Sequence, residues 1–156
     1  MEKKLERVIS KSEIYELVCK YMRGLDRLDK IIFRSVFHDD AYCDYGFIKT
    51  DPDTFATFCM DALNDHISNH HMIGNSLIEF DEKDENTAYG EIYFNAYHKT
   101  IENGVNTDVI IAGRYLDRYE KRDGIWKIAY RSEVNDWSRT EPVSYTHLTL
   151  PTTPVV

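Results

Sequence analysis

Asn69-His70-His71-Met72-Ile73-Gly74-Asn75-Ser76-Leu77-Ile78-Glu79-Phe80 is the stretch from which the fold is read. As a strand it sends alternate side chains to opposite faces. His71, Ile73, Asn75 and Leu77 share one face, and His70, Met72, Gly74, Ser76, Ile78 and Phe80 share the other. An imidazole in line with two aliphatic side chains and an amide is a titratable group aimed into an apolar cavity, where a general base is useful. A surface or capping histidine at a strand start is the plainer reading of the same residues.

Three further strands follow. Residues 87–100 alternate Tyr89, Glu91, Tyr93, Asn95 and Tyr97 with Ala88, Ile92, Phe94 and Ala96. Asn103-Gly104 marks a turn into a strand over about 108–120, and Arg122-Asp123-Gly124 closes a hairpin onto 125–137. Helices come first. Ser10-Lys11-Ser12-Glu13 is a capping box, which leaves residues 1–8 as a frayed, charged start. Ile14, Leu17, Val18, Tyr21, Leu25 and Leu28 then form one apolar stripe. Tyr21 lies in that stripe, so its hydroxyl needs a buried partner. Asp26 falls on the margin, near Gly24, where another element can approach. Asp29 is placed to cap a short helix over 30–37, residues 40–46 form a short strand with Tyr42 and Tyr45, and Asp51-Pro52 opens a helix carrying Phe55, Phe58, Cys59, Ala62 and Leu63. The order predicts an α+β fold: a curved, mainly antiparallel sheet with about three helices packed against its concave side.

The chain has 156 residues, 42% of them hydrophobic, which suits one domain with a real core. No apolar run reaches the roughly 20 residues that span a bilayer, and the lysine-rich start lacks the apolar segment of a signal peptide. A cytoplasmic location follows as the expectation. Three cysteines, Cys19, Cys43 and Cys59, form no C-x-x-C pair and read as reduced small hydrophobes. A net charge of −8 argues against nucleic acid. Eleven tyrosines suit a cavity that orients a partly polar, partly apolar ligand, although sheet packing accounts for many of them. Val143-Ser144-Tyr145-Thr146-His147-Leu148-Thr149-Leu150-Pro151-Thr152-Thr153 has neither charge nor packing pattern and reads as a translated transposon sequencing adapter. The domain is therefore expected over 1–142, with 143–156 a non-native tail, and His147 receives no functional weight.

Tyr21-x4-Asp26 at the end of the first helix, His71-x3-Asn75 in the strand, and Tyr119-Glu120-x-Arg122-Asp123-Gly124-x-Trp126-Lys127 resemble the SnoaL-like branch of the cone-shaped NTF2-like superfamily. The resemblance extends over nearly all of the chain up to Trp137. Its lyases include hexachlorocyclohexane dehydrochlorinase, bile-acid 7α-dehydratase and scytalone dehydratase, which work without cofactor through an aspartate–histidine dyad. By that resemblance Asp26 and His71 are the dyad, Tyr21 and Tyr45 are pocket tyrosines, and Arg131 is a pocket arginine. Asn95 stands where the bile-acid dehydratase has an aspartate and Asn135 where it has a late arginine, so no one substrate carries over. Tyr93, Asn95 and Asn75 join Tyr45 as candidate substrate contacts. The resemblance also implies a homodimer or homotrimer, and the row Ile92, Phe94, Val109, Ile111, Tyr115, Ile128 and Val134 is expected on the outer face.

With Asp26 fixing its tautomer, His71 can take a proton from carbon beside an electron-withdrawing group. Tyr21 and Tyr45 can hold a carbonyl or leaving hydroxyl, and Arg131 can stabilise developing negative charge. Such a site loses water or another small leaving group from a small hydrophobic cyclic substrate, or moves a double bond, and requires no metal or nucleotide. Each residue has a plainer role: Asp26 as a helix-end cap or partner of Arg23 or Arg27, His71 bonded to a backbone carbonyl, and Arg131, alternating in register with Lys127 and Glu133, in an exposed sheet-edge pair. His70 and His98 fall on the opposite phase to His71 if the strands are unbulged. The competing classes are a non-catalytic small-ligand-binding module and a structural subunit resembling the small subunit of a ring-hydroxylating dioxygenase.

Overall fold

The computed structural model describes residues 1–143, so the expected tail lies, from Ser144 onward, outside the described residues. The chain runs α1 (Glu2–Asp26), α2 (Lys30–Ser35), β1 (Phe37–Asp44), β2 (Lys49–Thr50), α3 (Pro52–Asn64), β3 (Ser68–Phe80), β4 (Thr87–Glu102), β5 (Val105–Arg122) and β6 (Ile125–Pro142). Six strands form one curved, open sheet in the order β2-β1-β6-β5-β4-β3, antiparallel except for β1 beside β6. This is the expected α+β cone.

Local chemistry fixes the element ends. Asp29 accepts from the Ile32 N–H and caps α2, while Asp51 accepts from the Asp53 and Thr54 N–H groups ahead of Pro52. Asn103-Gly104 and Asp123-Gly124 all take positive φ, which turns β4 into β5 and β5 into β6 in two residues each. The start of α1 departs from expectation. Ser10 sits inside a 25-residue helix that begins at Glu2, with no side-chain cap. Residues 2–7 are mostly strong helix formers, and they gain tertiary partners: Lys3 pairs with Glu85, and the Arg7 guanidinium lies 5.5 Å from the Phe80 ring centroid.

The core lies between the helices and the sheet. Ile14, Val18, Tyr21 and Leu25 of α1 meet Phe33, Phe37 and Phe55, and the sheet supplies Ile92, Phe94, Tyr115, Tyr119 and Ile128. Apart from Val134, the row expected on the outer face lies on the inner one. Ile92, Phe94, Tyr115 and Ile128 face the core, Ile111 packs against it, Val109 pairs with the buried His98, and Val134 pairs with the outer-face Arg114. Gly24 permits the closest helix contact, since a Cβ there would stand 2.8 Å from the Phe33 backbone. Among the described residues, no helix is long and apolar enough to cross a membrane.

Candidate active site

Asp26 is the last residue of α1, and its carboxylate projects onto β3. Its Oδ1 accepts from His71 Nδ1 at 2.7 Å, and its two oxygens accept from the His71 backbone N–H at 2.9 and 3.2 Å. The carboxylate thus grips one residue three times and leaves Nε2 as the ring nitrogen not engaged by it. Both side chains are largely out of water, 16% exposed for Asp26 and 6% for His71.

His71 lines an apolar cavity of about 170 Å³ between α1, α3 and the inner face of the sheet. That is near the size that admits one six-membered ring. Phe55, Cys59 and Leu63 of α3, Leu25 of α1, and Phe94, Ala96 and Ile111 of the sheet supply its apolar wall. Phe47 and Phe58 also line it and are 70% and 40% exposed, which places them at the mouth. Tyr21 and Tyr45 enter together, their hydroxyls 2.6 Å apart. Burial pushes both phenols well up, so they stay protonated and can donate.

Arg131 is not in this wall. It is fully buried behind the tyrosines, 4.2 Å from the Tyr21 ring centroid and 4.1 Å from that of Tyr115. Its Nε and Nη2 donate to the two oxygens of Asp117 at 2.8 and 2.7 Å, and Tyr119 donates to the same carboxylate. Asp117 is its direct cross-strand neighbour. Burial opposes the charge on Arg131, but Asp117 more than restores it. The exposed pair considered from sequence is a buried one, and the guanidinium meets the cavity through the rings of Tyr21 and Tyr115.

Tyr93, Asn95 and Asn75 come together, but on the wrong side. They share a shallow groove with Met72 and Gly74 on the outer face. Asn95 pairs with the exposed Met72, one residue along from His71. Between Ile73↔Phe94 and Ser76↔Ile92, Gly74 and Asn75 oppose Tyr93 alone, a bulge that reverses the facing of every later β3 residue. Leu77 is therefore exposed and Ile78 buried, the reverse of expectation.

Two cavity residues escaped the sequence reading. His98 lies on the same side as His71, with ring centroids 5.0 Å apart, because it pairs directly with Asn69. Asn69 Oδ1 receives Nδ1 of His98 at 2.8 Å and of His66 at 2.7 Å, which fixes both as Nδ1–H tautomers. Burial and then the neighbouring His71 and His66 push His98 down to about 4, so it is neutral near pH 7. Glu133 of β6 also lines the cavity, with Asn135 two residues along in the same wall. Burial raises its carboxyl to about 7 against the opposing pull of Arg131. Two residues past Arg131 on the same strand face, Glu133 carried a usable signal in its parity.

Residues 6–132 match the SnoaL-like domain family. No curated protein matches the chain by sequence. Among solved structures, hexachlorocyclohexane dehydrochlorinase LinA type 3 from Novosphingobium barchaimii superposes with a TM-score of 0.78 at 22% identity, covering 95% of this chain and 99% of that one. A scytalone dehydratase-like protein from Novosphingobium aromaticivorans gives 0.77 at 21% identity, over 88% and 91% of the two chains. The β subunit of an aromatic-ring-hydroxylating dioxygenase-like protein from the same organism gives 0.68 at 20%, over 84% and 92%. At these identities the likeness is one of fold, and the fold is shared by proteins of quite different kinds.

Proposed function

We propose that this chain, which belongs to the SnoaL-like domain family, is a cofactor-independent lyase or isomerase that removes a proton from carbon in a small cyclic substrate. One observation carries the reading: the 2.7 Å contact of Asp26 with His71 Nδ1 at the wall of an apolar, ring-sized cavity. Asp26 holds the imidazole with Nε2 free to accept a proton and stabilises the imidazolium that forms. The Tyr21–Tyr45 pair is neutral, and with one hydroxyl donating to the other it offers one remaining O–H to a carbonyl oxygen that becomes negative as the proton leaves. Arg131 supports these donors from behind as a positioning residue, in place of the direct catalytic role suggested by resemblance. The three cysteines are free thiols, in keeping with a cytoplasmic protein.

Thermal-shift screening with steroid, polyketide and halogenated ring compounds finds the ligand, and turnover of the hits tests the chemistry. His71→Ala is expected to lower turnover by about 10²–10⁴-fold without changing the fold, the usual contribution of one acid–base group. Asp26→Asn is expected to cost about 10²-fold by loosening the ring and its tautomer. Activity surviving His71→Ala sinks the mechanism. Hits that stabilise the chain but are returned unchanged identify a binding module instead.

A further inference from the structure

We infer that Glu133 is the general acid of this site, which makes the substrate a single-ring β-hydroxy carbonyl compound and the leaving group water. The inference rests on the proton-abstraction reading of Asp26 and His71 and adds the group that leaves. Among the described residues, Glu133 is the only carboxylic acid in the cavity wall. It stands on β6, and His71 stands on β3, three strands away in the sheet order. Three steps of about 4.8 Å separate the two strands. The ladders set Glu133 level with Ser76, on a diagonal from His71: His71 is level with Ile111 on β5, and Glu133 with Tyr115. Both side chains line the one ring-sized cavity of about 170 Å³ from the two ends of that diagonal, so base and acid approach a bound ring from different sides.

The surroundings keep a proton on Glu133. Tyr21 of α1, Tyr45 after β1, Cys59 of α3, Tyr115 of β5 and Arg131 of its own strand face it. Burial pushes up the phenols and the thiol, so they are neutral, and Arg131 is committed to Asp117. Burial in such a place outweighs the pull of Arg131 and raises the carboxyl to about 7. It is then poised to give its proton near neutral pH.

That proton decides the leaving group. His71 Nε2 takes the proton α to the carbonyl, and the C–H pair forms the new C=C bond. The C–O bond breaks toward oxygen, which takes the Glu133 proton and departs as water. The imidazolium and the Glu133 carboxylate then exchange one proton through solvent and the site is restored. Hydroxide leaves badly without that proton, whereas a halide or a carboxylate leaves unaided. An acid at this position is therefore wasted on a dehydrohalogenase and required by a dehydratase.

The probes are 3-hydroxycyclohexanone and 3-acetoxycyclohexanone, which both yield cyclohex-2-enone, one with water and the other with acetate. The full chain is expected to convert both. Glu133→Gln is expected to lose about 10²–10⁴-fold on the hydroxy probe, and to stay within about three-fold on the acetoxy probe. In the parent, kcat/KM for the hydroxy probe alone falls as pH rises through about 7, and Glu133→Gln removes that limb. Glu133→Asp keeps a carboxyl and is expected to keep the limb, which serves if the glutamine variant fails to fold. Equal loss on both probes, no loss on either, or an alkaline limb common to both overturns Glu133 as the acid while Asp26 and His71 stand. Conversion that survives His71→Ala, or no conversion of either probe by the parent, overturns both readings.

Discussion

Glu133 and His98 hold their protons in opposite senses within one cavity, and this gives them opposite effects on stability. Glu133 rises from an ordinary 4.5 to about 7, so the folded chain binds its proton more tightly than the unfolded chain does. Its contribution is present below pH 4.5 and is lost as pH climbs toward 7. His98 falls from 6.5 to about 4, so here the unfolded chain binds the proton more tightly. That contribution is present above pH 6.5 and is lost as pH drops toward 4. Over the shared window the two slopes oppose each other. Removing either group therefore exposes the other: relative to the parent, Glu133→Gln gains stability as pH rises from 4.5 to 7, and His98→Gln gains it as pH falls from 6.5 to 4. Urea denaturation at a series of pH values reads both differences, and parallel curves for parent and variants would refute the assignment. From sequence, Glu133 is legible as a cavity residue only through its parity with Arg131, and His98 not at all. His98 shares a face with His71 only through its pairing with Asn69, and cross-strand pairing is not written in either strand alone.

Elements set by neighbours in sequence were readable, and those set across space were not. The caps at Asp29 and Asp51 and the turns at Asn103-Gly104 and Asp123-Gly124 need only residues two or three positions away. The bulge at Gly74 and Asn75 depends on the path of β4, so the first half of β3 was read in phase and the second half out of phase. The same non-local logic ties the α1–α2 contact to the site. Gly24 lets α1 press on Phe33, and Asp26 follows two residues later. Gly24→Ala introduces a methyl at 2.8 Å from backbone that cannot rotate away, so the helices must part. The expected cost is about 1–3 kcal/mol. The displacement also lengthens the 2.7 Å contact with His71, so turnover or ligand response falls further than stability alone requires. Denaturation with an activity assay below the transition separates the two effects. Unchanged activity in a destabilised protein would uncouple the helix contact from the site.

At the scale of the whole molecule, the fold and the Asp26–His71 pair were recognisable together through family resemblance, since nothing in spacing alone joins residues 45 positions apart. What could not be read was which side of the sheet faced outward. With the larger apolar side chains turned to the core, the outer face carries Met72, Leu77, Tyr89 and Tyr93, all more than 40% exposed, with Leu116 at 38%. They alternate with charge that is already paired, Arg114 lying between Asp136 at 3.0 Å and Glu91 at 3.4 Å. A face of apolar and aromatic side chains with neutralised charges suits contact with a second copy of the chain. The homo-oligomer implied by resemblance is expected to form through this face. Leu77→Asp together with Leu116→Asp places two new carboxylates beside Glu91, its neighbours across the ladders on either side. Both positions are already in water, so the single chain loses little, while two copies meeting on this face bring the new charges into a drying interface. Light scattering behind size exclusion is expected to give an oligomer for the parent and one chain for the double variant, with unchanged far-UV circular dichroism. A parent that elutes as one chain, or a double variant that stays associated, would leave the outer face without this role.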